Sequence, residues 1–316
     1  MAVVSWNLVL YGFINTALAL LVSPLFISLI KKVKAYAQGR VGPPILQTYY
    51  QLYKLFKKER VYSYQTSFII RLTPYLSLAF MMVASLSVPL VFIPAADPGL
   101  GNIILFLYLM VMSRFFMALS GLDAGSSFGG MGSSREMTLS AIIEPVIIIV
   151  FGALAYVLQT TSLFDMFGQV RENSFLSNPS LILTGISLFI ILIVETSRIP
   201  VDNPETHLEL TMIHEAMTLE YSGPDLALIE LSHALKQTLL MGVLLNIVAP
   251  WGLASEPAAG GIAVAFLAFV IKGSLLAVGV GIFESLMAKF RLFRVPGLFM
   301  LAFFFSFITV IFKFLA

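Results

Sequence analysis

The chain has 316 residues, of which 59% are hydrophobic and only 11% charged, and its mean hydropathy is +0.94. That composition leaves too little polar surface for a water-facing domain of this length, so a single membrane-embedded domain over 1–316 is expected. The net charge of +2 and the zero cysteines exclude a basic nucleic-acid stripe and any cysteine-ligated zinc or iron–sulfur centre held by this chain.

Eight apolar stretches predict an all-α polytopic protein with about eight transmembrane helices and further amphipathic and loop helices at one face. The first is Leu8–Ile30, ahead of Lys31, Lys32 and Lys34; it reads as a span rather than a signal peptide, which has a charged front end and a shorter apolar core. The others are about Pro74–Ile93, Asn102–Leu119, Ile142–Leu163, Leu181–Glu195, Leu235–Pro250, Ile262–Phe283 and Gly297–Leu315. The fifth and sixth are short for a core roughly 30 Å thick and need a turn from their flanks.

The larger connections fall at about 31–73, 120–141, 196–234 and 284–296, and these odd-numbered connections carry fourteen Lys and Arg. The even-numbered ones carry only Arg171. The positive-inside tendency therefore predicts a multi-pass protein of the cell membrane with cytoplasmic odd loops and both termini outside.

In the first connection Gly39-Arg40-Val41-Gly42-Pro43-Pro44 predicts a rigid turn that fixes Arg40 as a contact residue. Ile45–Phe56 follows as an amphipathic segment whose neighbours Lys54, Lys57 and Lys58 can reach lipid headgroups. The second connection, Gly121 to Glu136, has five glycines and four serines, which permit close backbone approach and a re-entrant path, and it lacks the Lys-Ser/Thr ending of a phosphate loop. Glu136 and Glu144 lie two helical turns apart, on roughly one face.

At the end of the fifth stretch, Glu195 and Arg198 lie within one turn. They read either as a pair closing a helix end or as an ionisable step in an ion route. From Glu195 to Glu230 eight acidic residues face one Arg, reversing the basic trend of the other odd loops and marking a partner-facing or proton-handling surface. His214-Glu215 does not complete a His-Glu-x-x-His zinc site, because Thr218 stands where the second histidine is needed. Tyr221, beside this acidic run, is the aromatic expected to face a partner, and Lys272 lies too deep in the seventh stretch for a surface lysine. A stand-alone secondary transporter is the different-class alternative, but the chain has no convincing internal repeat.

Gly39–Pro43, Glu195-Thr196-Ser197-Arg198-Ile199-Pro200-Val201-Asp202, Glu205, Glu209 and Glu220-Tyr221 together resemble the respiratory complex I subunit 1 family over nearly the whole chain. Within it, Gly121–Glu136, Glu144-Pro145 and Thr206–Glu215 look more like the membrane-anchor subunit of group 4 membrane-bound nickel–iron hydrogenases and related ferredoxin-driven complexes. The resemblance implies a non-catalytic anchor below a hydrogenase-like large subunit and an iron–sulfur small subunit, beside antiporter-like and small membrane subunits. The nickel–iron centre and iron–sulfur clusters would then sit in those partners, with no cofactor in this chain. It implies an acidic path through Glu136, Glu144, Glu195, Glu205, Glu209 and Glu220, to which the depth of Lys272 adds a cation, with Arg40, Arg135, Arg198, Asp202 and Tyr221 in docking or charge tuning. Sulfur-reducing and quinone-reducing assemblies are the near alternatives. Val201 and His207 depart from the quinone-reducing pattern, which has Phe and a small residue there.

Overall fold

The structure is a computed structural model that describes residues 6–64, 66–94, 99–172, 178–202, 212–254 and 259–315. Among these the regular elements are all helical: α1 Trp6–Ala37, α2 Gln47–Phe56, α3 Phe68–Ser85, α4 Ile103–Asp123, α5 Ser127–Leu158, α6 Leu163–Glu172, α7 Pro179–Glu195, α8 His214–Thr218, α9 Gly223–Val248, α10 Ala259–Leu286 and α11 Val295–Leu315. Seven of them (α1, α3, α4, α5, α9, α10 and α11) are long and apolar enough to cross a membrane, and α7 is a shorter apolar helix of 17 residues. The protein is thus a helical polytopic membrane protein of the class its hydropathy predicts.

The elements start where local chemistry supplies the missing acceptors. Ser67, Asn102 and Ser126 accept the amides of Ile69, Ile104 and Gly129, so α3, α4 and α5 begin on side-chain caps. Pro179 and Pro224 sit in the first turns of α7 and α9, where a missing N–H costs nothing. α9 is the central post: 78% of its apolar window is buried inside the protein, against 28% for α10 and 22% for α11. The outer stripes of those two helices, Val264, Leu267, Ile271 and Leu275 on α10 and Met300, Phe304, Phe307 and Ile311 on α11, are exposed at helical spacing, as surfaces bathed in hydrocarbon are.

Three expected boundaries are corrected. The second span ends at Ser85 instead of Ile93, because Pro89 cannot donate in a helix and buried asparagines take over the freed backbone. Asn15 donates to the carbonyls of Ser85 (2.6 Å) and Val88 (2.9 Å) and accepts from Leu90 N (2.9 Å), while Asn246 donates to Pro89 O (2.7 Å). The sixth span starts at Gly223, about three turns earlier than Leu235, so its flank supplies more than the one turn expected. The glycine-rich second connection is helix, not a re-entrant loop: only residues 124–126 lie between α4 and α5, with Gly125 at φ +64°. Its glycines serve close packing. A Cβ on Gly132 would stand 2.8 Å from Ala216 Cβ and 2.9 Å from Ile213 O, so α8 rests directly on the α5 backbone.

The connections segregate to two ends. At one end Val61 N donates to Ser222 (2.8 Å), Ser67 N to Asp123 (3.1 Å) and Phe290 N to Pro200 O (2.8 Å), which ties the four odd connections together. At the other, Ala254 N donates to Val91 O (2.9 Å) and Leu163 N to Gly101 O (2.7 Å). The amphipathic α6, absent from the sequence expectations, buries Leu163, Met166, Phe167 and Val170 at that second end. α2 is the amphipathic segment expected after the Gly-Pro turn; it hangs on α1 through Ser28, which donates to Thr48 (2.6 Å), and exposes Tyr50, Tyr53 and Phe56.

Candidate ion-coupling site

Arg114 in α4 is the hub of the buried charges. Its guanidinium meets Glu195 at the end of α7, Glu136 (3.4 Å) and Glu144 (3.6 Å) on one face of α5, and donates to Ser140 (3.2 Å) between them. Lys236 of α9 holds the other oxygen of Glu195 at 2.6 Å. The side chains of Arg114 and Glu195 are 8% and 4% exposed, whereas that of Glu144 is 34% exposed, so the cluster opens laterally at Glu144. Three carboxylates thus share two cations in a low-dielectric setting, where a change of one proton alters the balance of the whole group.

A second cluster lies across the end of α7. Arg198 donates to Glu284 of α10 (3.2 Å) and to Gln237 of α9 (2.7 Å), and Lys34 of α1 stands 3.7 Å from the other oxygen of Glu284. The expected helix-end pair of Glu195 with Arg198 is therefore not formed. Ser197, at φ +49°, reverses the chain so that Glu195 and Arg198 face different partners. Asp202 continues this segment: it binds Lys289 at 2.6 Å and accepts the amides of Ile213 and His214 at 3.2 Å, which anchors the start of α8.

A polar cavity of about 490 Å³ opens between α1, α2, α9 and the segment after α7, with Lys31, Gln51, Glu195, Arg198, Glu230 and His233 among its walls. Gln51 donates to both oxygens of Glu230 (2.9 and 3.1 Å). On the far side of Arg114 an apolar cleft of about 310 Å³ runs between α4, α5, α7 and α9 and also reaches Glu144 and Glu195. Two voids of about 20 Å³ flank Arg114 and Glu136, one toward Asp202 and one toward His214 and His233, each the size of a water molecule. Glu195 borders all four spaces.

The His214 and His233 rings lie 3.9 Å apart between their centroids. Desolvation of the ring, then the charges of Lys236 and Arg114, lowers the His214 pKa to about 3, so it is neutral in the folded protein at neutral pH. An unfolded chain protonates this imidazole below its ordinary value near 6.5, so this contribution to stability is complete above that pH and is lost as pH falls toward 3. Replacing His214 by Gln is expected to flatten the fall in thermal midpoint between about pH 7.5 and pH 5 relative to the parent chain. An unchanged slope contradicts this.

Glu205 and Glu209, with His207, lie outside the described residues. Glu220 is half-buried just before α9 and belongs to neither cluster among the described residues. Arg135 donates to Met212 O (2.8 Å), helping to hold the chain that enters α8. Arg40 is exposed beside Gly39, whose φ is +70°, in the turn its sequence predicts. Two expectations are corrected. Tyr221 is 5% exposed and packs among Ile70, Met117, Ala124 and Ile229, so it is a core residue and not a partner-facing aromatic. Burial raises its hydroxyl pKa to about 12. Lys272 lies at the opposite end from the acids: its ammonium donates to Ala249 O (2.9 Å) and Trp251 O (2.7 Å), satisfying carbonyls left open where α9 ends. None of Arg114, Lys34, Lys236 and Glu284 is among the expected site residues; a lone guanidinium amid Met112–Phe116 is the signal the sequence carries for the first of them.

A helical bundle with paired charges buried between a polar cavity and an apolar cleft defines a membrane subunit built around ionisable groups. Residues 10–314 match the family described as NADH dehydrogenase, and the chain belongs to it. It is 29% identical over 303 residues to formate hydrogenlyase subunit 4 of Escherichia coli (strain K12), covering 96% of this chain and 98% of that protein. It is 31% identical over 284 residues to hydrogenase-4 component C of the same organism, covering 90% and 89%. The membrane-bound sulfane sulfur reductase, an archaeal respiratory membrane complex, contains a chain of the same fold, with a TM-score of 0.79 at 19% identity over 97% of this chain and 99% of that one. The protein is accordingly a complex I-like membrane subunit related to those of the formate hydrogenlyase and hydrogenase-4 complexes.

Proposed function

We propose that this chain anchors a peripheral redox module to the membrane and couples its electron transfer to movement of H⁺ or Na⁺, within a respiratory complex of the hydrogenase or sulfur-reductase type. The observation that carries the reading is the Arg114 cluster, in which Glu195 borders the polar cavity on one side and the apolar cleft on the other. A redox event beside the cavity can shift charge there, and the lateral opening at Glu144 offers the way on to a neighbouring membrane subunit. Glu205, Glu209 and Glu220, carried by the acidic run of the sequence, are assigned to the same coupling role. The odd connections face the cytoplasm, where the basic residues concentrate.

The finer reading is a ferredoxin-driven, hydrogen-evolving module; its hydrogen chemistry, though not its electron donor, is supported by the names of the two Escherichia coli relatives aligned over nine-tenths of this chain. Its large subunit carries the nickel–iron centre and its small subunit the iron–sulfur clusters, while antiporter-like and small membrane subunits flank the chain in the bilayer. This cysteine-free chain contributes no catalytic centre, and among the described residues no three His, Asp or Glu converge as a metal site. A sulfur-reducing module is the second reading, favoured by the fold shared with the sulfane sulfur reductase.

Crosslinkers placed in residues 38–67 and 212–222 of the native complex are expected to trap the large or small subunit of the peripheral module. Trapping only from residues 86–94 and 249–254, at the opposite end, contradicts both docking and orientation. Turnover that yields H₂ selects the hydrogenase module, and sulfide without H₂ selects the sulfur-reducing one.

A further inference from the structure

Arg198 stands three residues after Glu195, and on a continuous helix the two would share a face. They do not meet. α7 ends at Glu195, Arg198 N returns to Ile193 O (3.0 Å), and the left-handed Ser197 turns the guanidinium to the other side of α9. There Gln237 and Glu284 receive it. The adjacent residue on α9, Lys236, faces Glu195 instead, so two consecutive side chains of one helix keep the two clusters apart.

The second cluster is more enclosed than the first: the side chains of Lys34, Arg198 and Glu284 are 6%, 7% and 1% exposed, against 34% for Glu144. In it Lys34 and Arg198 both meet Glu284, while in the Arg114 cluster three carboxylates meet two cations. The excess carboxylate of the Arg114 cluster attracts a further cation, and both Arg198 and Glu195 line the same cavity, which leaves the guanidinium room to cross. Glu284 is the carboxylate that opposes this crossing.

We infer that Glu284 is a positioning residue for ion coupling, acting through Arg198: with Lys34 behind it, it holds the guanidinium on Gln237 and keeps it off Glu195. Glu195 then answers only to Arg114 and Lys236, and the two clusters stay separately charged. When Glu284 is neutral, Arg198 turns to Glu195, competes there with Arg114 and Lys236, and merges the two clusters into one fixed network. The inference rests on the coupling function proposed above, but its structural half does not.

The test uses the native complex carrying Glu284→Gln, with two readouts. In its density map the Arg198 guanidinium is expected on Glu195 instead of Gln237. In sealed vesicles the gradient built per electron is expected to fall, to return with Glu284→Asp, and to fall no further than in Arg198→Gln when the two neutral substitutions are combined. Arg198 remaining on Gln237, or a loss that Glu284→Asp does not restore, overturns the inference. If Glu284→Gln does not assemble, Lys34→Gln with Glu284→Gln removes one charge of each sign and is read in the same way. Failure of that pair to assemble assigns Glu284 a purely structural role and also overturns the inference. A parent complex that builds no gradient refutes the coupling function instead, while the position of Arg198 in the Glu284→Gln map still decides the structural half.

Discussion

Replacing Arg114 by Met is expected to cost about 3–5 kcal/mol of stability, because it strands Glu136, Glu144 and Glu195 around the single ammonium of Lys236. The loss comes less from the attraction removed than from carboxylates left enclosed without a partner. Arg114→Lys restores the charge but not the fork that reaches three acids and Ser140 at once, so it is expected to fall between parent and Met variant. Pairing Arg114→Met with Glu195→Gln removes one charge of each sign and is expected to recover part of the loss. The thermal midpoint of the detergent-extracted complex, followed by release of this chain, reads all four proteins. Equal midpoints contradict the role of Arg114 as hub.

The second large effect is expected at Asp202, which is 2% exposed and joins three separate stretches of chain: its own segment after α7, the start of α8 and the 287–294 connection. Asp202→Ala opens two backbone amides and the Lys289 ammonium together, an expected cost of about 2–5 kcal/mol concentrated locally. Hydrogen exchange at Ile213 and His214 is expected to accelerate, and the peripheral module to detach at lower salt than from the parent complex. Asp202→Asn, which keeps an acceptor oxygen, is expected to retain part of the α8 anchoring. Exchange at parent rates in the Ala variant contradicts this account of the odd-loop end.

The spans were legible because each needs only a run of apolar residues, and such a run is a local property. Where α3 stops was not, since Asn15 and Asn246, remote in sequence, supply the hydrogen bonds that let the chain leave the helix before Pro89. The glycines of 121–136 read as loop because glycine is a poor helix former, yet here they remain helical so that α8 can lie against α5. The acids Glu136, Glu144 and Glu195 were legible as charges at membrane depth. Their partners were not: spacing along one helix favours Arg198 for Glu195, while the residues that hold it come from α4 and α9. Tyr221 shows the same limit, since an aromatic beside an acidic loop has no sequence feature that distinguishes a docking residue from a core residue sealed by Ile70 and Met117.

The central claim is that charge at Glu195 links electron transfer in the peripheral module to ion movement through the membrane arm. It is tested most directly by the gradient formed per electron in sealed vesicles holding the native complex, compared between the parent and Glu195→Gln at matched amounts of assembled complex. The account predicts a gradient in the parent and its loss per electron in the variant, while electrons still reach the terminal acceptor. An unchanged gradient per electron in a fully assembled Glu195→Gln complex contradicts it.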